Sequence, residues 1–373
     1  MGLSVHEVTS DEERAKLFAF RYRIYVDEMQ IETAEADHDR RWLTDALDDV
    51  SHLHVLLSDD EVVGSLRTTV LSEVPDRDSL IEKFCIAPAL GTFAPEEICA
   101  TGRFMLDPKL RHGTAILRLM KTAFEEAHTR GIRLNYGDCS PHLLPFYEHL
   151  GFRRYEKAFN DTSYGFKVPI LMLLGDRERL ERVRSPLARV ASDGPDDPDA
   201  RSWFEHTYPD SNAFDSAQLL PEGVFLELLR ARIASDPLHS VGLLHGLDEN
   251  EADRFLAKAT VIEAHPGDYV VRQGELGDTL FVILRGVCEA LRHQGTDRSL
   301  SFLGAGDPFG EIGFLTEGLR TANVIARTPC EIVVLSADFL RSFLKREPTI
   351  AAKVLFNLSR TLASRLAETS ASR

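Results

Sequence analysis

The chain has no surplus of basic residues. Its 43 Lys and Arg face 59 Asp and Glu among 373 residues, a formal net charge of −16. Such a surface repels phosphate backbones, so nucleic acid is not an expected partner and a transcription factor is disfavoured. Cysteine is scarce. Cys85, Cys99, Cys139, Cys288 and Cys330 are five in number, far apart, and never in a C-x-x-C pair. That argues against a disulfide framework and against a structural metal site; buried reduced thiols in a cytoplasmic protein are expected instead. No run of about 18 apolar residues occurs, so no membrane span is expected. The N-terminus has no apolar signal segment, and His6 stands where a myristoylation pattern needs Ser or Thr. There is no phosphate-binding P-loop, no Ser-His-Asp spacing and no internal repeat.

What is present is an ordinary globular mixture, 43% apolar and 27% charged. At roughly 100–200 residues per domain the length suits two or three domains. Residues 1–187 mix helices and strands. Ser10-x-x-Glu13 reads as a capping box, opening a helix with Ala15, Phe18, Tyr22, Tyr25, Val26 and Met29 on one face. Strands are expected at His52–Leu57 and Val62–Val70 about a turn at Ser58-Asp59-Asp60, near Ile98–Leu106, and at Leu134–Tyr136. A second helix is marked by Ile116, Met120, Ala123, Phe124 and Ala127, and a short one follows Ser140-Pro141. Residues 188–235 join the two blocks. Their acidic stretch 193–200 reads as solvated linker, but Trp203, Phe204, Tyr208 and Phe214 are too aromatic for disorder. A lid over the first block is one place for these rings. Residues 236–373 hold short glycine-punctuated strands, a β-roll or jelly-roll pattern, and end in a helix with Ile350, Val354, Leu358, Leu362 and Leu366 on a stripe.

The densest chemistry lies in the run FGEIGFLTEGLRTANVIA, Phe309 to Ala326. Gly310 allows close backbone approach. Glu311 offers a carboxylate, and Ile312 lies in a helix start whose N–H groups are free. Arg320 and the hydroxyl of Thr321 follow. A cyclic nucleotide needs such a set: an arginine and N–H groups for its phosphate, a carboxylate for its ribose hydroxyl. The run resembles the phosphate-binding cassette of cyclic-nucleotide-binding domains, particularly those of cyclic-nucleotide-gated channels. The resemblance spans about Val241 to Leu366. It implies that Arg320 holds the phosphate and Glu311 the ribose of cAMP or cGMP, with Gly310, Ile312 and Thr321 beside them.

In the first block, Leu143 to Phe152 (LLPFYEHLGF) resembles the last helix of GNAT acyltransferases. The resemblance implies that Tyr147 protonates the leaving thiolate. Arg21-Tyr22-Arg23-Ile24-Tyr25, Asp45-x-x-Asp48, Gly64-Ser65-Leu66-Arg67 and Arg103-Phe104 follow in the order seen in autoinducer synthases. Pro141–Tyr155 and Val168–Leu171 extend the likeness to long-chain N-acyl amino acid synthases. Arg103, Phe104, Arg111, Gly113 and Ala115 are thereby implied on the acyl-donor side, and Arg21, Asp45, Asp48 and Arg67 in acceptor contact or structure. The autoinducer synthases carry a glutamate where Ala100-Thr101-Gly102 stand here, which argues against homoserine lactone as acceptor; Glu97 is nearby in sequence. The pyrophosphate loop, Leu110 to Ala115, keeps its small residues but begins with Leu, which suits a carrier-protein donor.

The expectation is an α+β chain: a GNAT-like N-acyltransferase fused to a cyclic-nucleotide-binding β-roll with a C-terminal helix. Its co-substrate is acyl-CoA or an acyl carrier protein thioester, and its acceptor a small amine. Acyl carrier protein and a second copy of the chain are the macromolecular partners to consider. The alternatives are a cAMP-regulated protein-lysine acetyltransferase and a non-catalytic nucleotide effector with a degenerate acyltransferase domain.

Overall fold

The structure, a computed structural model, describes residues 2–111, 114–191, 194–209, 211, 216–233, 236–293, 295–316 and 318–371, with side chains to 367. The chain divides into two compact units. Met1–Cys139, Tyr147–Glu156 and Val168–Asn212 form the first; Ser140–Phe146, Lys157–Lys167 and Ala213–Arg373 form the second.

The first unit is built on one mixed sheet. In chain order its strands are β1 (Leu3–Glu7), β4 (His52–Ser58), β5 (Glu61–Val70), β6 (Ile98–Leu106), β7 (Leu134–Cys139), β8 (Arg153–Arg154) and, from Val168 on, β10 (Gly165–Leu173); β2 (Ala36–Asp37) and β3 (Trp42–Leu43) make a separate small hairpin, and β9 (Phe159–Asp161) belongs to the second unit. The sheet order is β1-β4-β5-β6-β7-β10-β8. Among the described residues only β6 and β7 pair in parallel, from Ile98↔Leu134 to Ala100↔Tyr136. Their mutual pairing ends there, while β6 continues to Leu106 beside β5 and β7 to Cys139 beside β10. On its other side β6 pairs with β5 through a register shift opposite Ser65 and Arg67. Arg103 takes φ +51 there. A bulge of this kind kinks a strand and re-aims its side chains.

The Ser10–Glu13 capping box forms as expected and opens the Asp11–Tyr22 helix. The helix then widens into a π-helical turn, Arg23–Glu28, with Met29 N–H donating to Ile24 O at 3.0 Å. Leu17, Phe20 and Ile24 are buried beside the expected Phe18 and Tyr22, and Tyr25 and Met29 of the expected stripe pack, partly buried, against Phe20, Ile24 and Met105. The strands at 52–58, 61–70, 98–106 and 134–139 and the Ala115–Thr129 helix lie where the sequence places them.

The joining region differs from its sequence reading. Asp197 caps a helix, Pro198–Thr207, and holds Arg133 through two bonds of 2.7 and 2.8 Å. Trp203 packs edge-on against Phe93 at 5.0 Å, and Tyr208 against Tyr155 at 5.4 Å. Phe204 and Tyr208 share a core with Phe84, Tyr136, Leu171 and Leu173. These rings are therefore core of the first unit, not a separable cover; residues 193 and 214 lie outside the described residues.

The second unit stacks two four-stranded antiparallel sheets. β11 (Thr260–Ala264), β18 (Cys330–Ser336), β13 (Thr279–Arg285) and β16 (Pro308–Phe309) form one; β12 (Tyr269–Val271), β17 (Asn323–Ala326), β14 (Cys288–His293) and β15 (Asp297–Leu303) form the other. This is the expected β-roll. Only β16 escapes the sequence pattern, being too short to show a period. Helices Val224–Arg232, Glu249–Leu256, Ala337–Arg346 and the start of Pro348–Ala371 bury their apolar faces with residues of β11, β13 and β18. Ile350, Val354 and Leu358 are buried as expected, but Leu366 near the far end is 69% exposed. Among the described residues no helix is long and apolar enough to cross a membrane.

Candidate functional site

In the first unit Tyr147 comes together with Phe104 of β6 near the end of β7. Tyr147 lies on the Leu144–Leu150 helix. It is buried, not facing solvent, and its ring meets Phe104 of β6 at 6.4 Å and Phe152 at 5.4 Å, both edge-to-face. Burial, followed by the charges of Cys139 and Asp138 at the end of β7, pushes the phenol well above its ordinary pKa. A phenol in that state holds its proton at neutral pH, and the same burial makes it a weaker acid than a free tyrosine.

Beside it lies a chain of alternating charges. Arg21 donates to Asp48 at 2.7 Å, Arg67 to Asp48 at 3.0 Å and to Asp45 at 2.5 Å. Arg103 closes the chain on Asp45 and Glu35, each at 2.5 Å. Burial alone would raise the Asp45 carboxyl, but Arg67 and Arg103 outweigh it and hold it far below the usual carboxylate range. Asp48 behaves in the same way through Arg21 and Arg67. Arg21 and Asp48 are 0% exposed and cannot touch a substrate. Asp45 and Glu35 are 18% and 35% exposed at the side chain and can.

The geometry also regroups the sequence expectations. Arg103, expected on the donor side, has its guanidinium in the charge chain, on Glu35 and Asp45. Arg111 binds Glu28 at 2.7 Å and Leu106 O at 3.2 Å. Ala115, at the start of its helix, packs in an apolar cluster with Leu56 and Leu106. Gly113 lies outside the described residues. Glu97 is removed from this site: it precedes β6, caps Ala94 N–H at 2.8 Å and faces Arg133. Among the described residues Glu7, His52 and Glu126 bring ligand-type atoms within 4.8 Å of one another. Arg130 already engages Glu126 at 2.9 Å and His52 at 3.1 Å, so a cation is in place there.

In the second unit the cassette is assembled around Gly310. Phe309 stacks on Phe281 across the β13–β16 pair, with ring centroids 4.9 Å apart. Gly310 turns the chain at φ +78, where a Cβ would meet Arg320 Nη1 at 2.7 Å and Thr279 O at 3.0 Å. Only glycine fits this turn. A Cβ on Gly277 would likewise meet the Arg320 side chain, at 2.5 Å. Arg320 is buried and donates to Gly310 O at 2.7 Å, the one hydrogen bond its side chain makes among the described residues. Burial pulls its pKa down, while Asp278, Glu275 and Glu311 favour its charge. Glu311, also buried, receives Arg365 of the C-terminal helix at 2.8 Å. Ile312 is 42% exposed, and Thr321 is exposed.

Two family models match these two regions: N-acyl amino acid synthase FeeM over residues 16–174, and cyclic nucleotide-binding domain over 261–347. The chain joins an N-acyl amino acid synthase domain to a cyclic nucleotide-binding domain. The nucleotide-binding domain is similar to that of the human potassium/sodium hyperpolarization-activated cyclic nucleotide-gated channel 4, 33% identical over 159 residues, covering 40% of this chain and 13% of the channel. Human cyclic nucleotide-gated channel beta-3 is 29% identical over 175 residues, covering 45% and 21%. The chain thus matches only a small part of these curated relatives' length. Among solved structures, a cyclic nucleotide-binding domain from Methylobacillus flagellatus is 23% identical at TM-score 0.35, covering 38% of this chain and 80% of that one. The Thermus thermophilus catabolite activator protein is 32% identical at TM-score 0.32, covering 35% and 61%.

Several residues of the two domains escape sequence reasoning. Glu35 of the synthase domain lies in irregular chain, where no periodicity marks it. Arg365 of the nucleotide-binding domain reads as a solvated charge between Leu362 and Leu366, and only the folded helix brings it to Glu311. Asp278 and Glu275, just before β13, emerge as charges facing Arg320 only in the fold.

Proposed function

We propose that the synthase domain is a GNAT-type N-acyltransferase, joining an acyl group from an acyl carrier protein or acyl-CoA thioester to the amine of a small acceptor such as an amino acid. We further propose that cAMP or cGMP on the second domain controls it, in the cytoplasm. The observation that carries the reading is the buried Tyr147 beyond the point where the parallel pairing of β6 and β7 ends. Where the pairing of two parallel strands ends, backbone N–H groups are left free to meet a substrate, and the bulge at Arg103 lies on β6 just past that end. In the reaction the acceptor nitrogen attacks the thioester carbonyl. A β6 N–H steadies the oxyanion, the C–S bond breaks as the C–N bond is completed, and the Tyr147 O–H protonates the departing sulfur. The proton lost by the amine passes to solvent. Asp45, Glu35 and Arg103 are the groups placed to hold an acceptor bearing both charges, and Arg111 with the start of the Ala115–Thr129 helix suits the donor's phosphate.

The test is direct. Full-length protein is incubated with long-chain acyl carrier protein and acyl-CoA donors and a panel of amino acids and amines, with and without cAMP or cGMP. Products are read by mass spectrometry. An N-acyl small molecule whose rate changes with nucleotide supports the reading. Acylation found only on protein lysines overturns the acceptor class, and absence of any amide from every donor overturns the catalytic assignment.

A further inference from the structure

Two of the five cysteines meet in the second unit. Cys288, the first residue of β14, and Cys330, the first residue of β18, are 42 positions apart in the chain, yet their Sγ atoms lie 3.7 Å apart. The two strands belong to different sheets, so the thiols touch across the interior of the β-roll. Both are buried and unbridged. The other three cysteines, Cys85, Cys99 and Cys139, belong to the first unit.

Each thiol follows a turn, and the two turns are laced together. Gly286, at φ +92, carries β13 into β14, and residues 327–329 carry β17 into β18. Arg327 N–H donates to Val287 O at 2.8 Å, and Val287 N–H donates to Thr328 Oγ1 at 2.8 Å. A Cβ at position 286 would meet Cys330 Sγ at 2.7 Å, so the bare glycine leaves that sulfur its room. Closing from 3.7 Å to an S–S bond of about 2.0 Å is within reach of side-chain rotation and a small shift of either turn. The cover over the pair is one turn thick, with Arg327 and Pro329 exposed on it. The contact with Cys288 lowers the Cys330 pKa and raises that of Cys288, so Cys330 is the thiol that ionises first.

We propose that Cys288 and Cys330 are an oxidation site, closing to a disulfide between the two sheets of the β-roll when hydrogen peroxide reaches them. The Cys330 thiolate attacks one peroxide oxygen. The O–O bond breaks, and hydroxide leaves as water with the proton the thiol gave up. Cys288 then attacks the sulfenic sulfur of Cys330: the S–S bond forms, the S–O bond breaks, and the departing hydroxide takes the Cys288 proton. Two thiols are oxidised and one peroxide is reduced to two waters. The loop closed by the bridge contains the whole run 309–326. This site does not depend on what that run binds.

Reduced full-length protein is treated with hydrogen peroxide, quenched, alkylated in denaturant and digested without reductant, and the peptides are mapped by mass spectrometry. A cross-linked Cys288–Cys330 peptide that dithiothreitol separates is expected in wild type and in Cys85→Ser, and is absent from Cys288→Ser and Cys330→Ser. Calorimetry should show the unfolding of the second unit moved up by roughly 10 °C in oxidised wild type, because closing a loop over 42 positions constrains the unfolded chain. If Cys288 and Cys330 are both fully alkylated after a peroxide dose that oxidises the exposed Cys85, the proposal is refuted. It is equally refuted if the bridge forms only in urea-unfolded protein, since the folded contact would then play no part.

Discussion

Replacing Asp48 by Asn tests whether the charge chain of the synthase domain is framework or substrate contact. Asp48 and Arg21 are both 0% exposed, and 2.7 Å separates their charged atoms. Among the described residues Arg21 has no other hydrogen-bond acceptor, since its Nε and Nη2 are buried without partners. Asn at 48 leaves a guanidinium in the interior with no counter-charge. Breaking one side of such a pair costs about 3–5 kcal/mol. For a unit of this size that lowers the melting temperature by roughly 6–20 °C, at about 2–4 °C per kcal/mol. The two tryptophans, Trp42 and Trp203, both lie in the first unit, so fluorescence follows its unfolding without interference from the second. The pH dependence has a definite sign. The Asp48 carboxyl is held below its ordinary value of 3.8 by Arg21 and Arg67, against the opposing effect of burial. Its contribution is therefore complete above that value and fades as pH falls through the lower folded-state value. The gap between wild type and Asp48→Asn should be constant near pH 7 and close below about pH 4. Asp45→Asn should cost less stability, because Arg67 keeps Asp48 and Arg103 keeps Glu35, yet it should raise the KM for the acceptor. A loss below about 1 kcal/mol for Asp48→Asn, in the range of a surface pair, would show that the network is solvated and the reasoning wrong.

Three further outcomes are expected. Tyr147→Phe keeps the ring packing on Phe104 and Phe152, so it should fold normally and lower kcat with little change in the KM for the thioester; steady-state kinetics with a donor whose chemical step is slow decides this, and an unchanged kcat removes the phenol from the reaction. Arg320→Ala removes a buried cation from the cassette and should weaken cAMP and cGMP binding by about 2–5 kcal/mol in calorimetry; equal affinity in the two proteins refutes the phosphate assignment. Phe204→Ala, at a ring 1% exposed, should destabilise the first unit by about 3–5 kcal/mol in urea melts followed by tryptophan fluorescence, whereas a stable variant would return residues 198–208 to the status of a detachable segment.

The sequence by itself determined what is local. Capping at Ser10, the turn at Asp59-Asp60, the period-two runs of the β-roll and the glycine-carboxylate-arginine order of the cassette depend on neighbours a few residues apart, and the folded chain keeps them. The two family resemblances were legible for the same reason, since the residues around Tyr147 and the run from Phe309 to Thr321 carry their context in adjacent residues. Tertiary structure decided whatever depends on residues far apart in the chain. Arg21, Asp45, Asp48, Arg67, Arg103 and Glu35 come from helix, loop and strand. Their burial, not their identity, separates those that brace the fold from those that can meet a substrate. The π-helical turn at Arg23–Glu28 leaves no mark in the apolar pattern, since Tyr25 and Met29 still pack against Phe20, Ile24 and Met105. Trp203, Phe204 and Tyr208 had aromatic character enough to demand burial, but composition does not say against what; the partners are Phe93, Tyr136 and Tyr155. Arg365 is the sharpest case. On the helix it is one charged residue among several, and only the packing of Ile350, Val354 and Leu358 fixes the helix so that its guanidinium reaches Glu311.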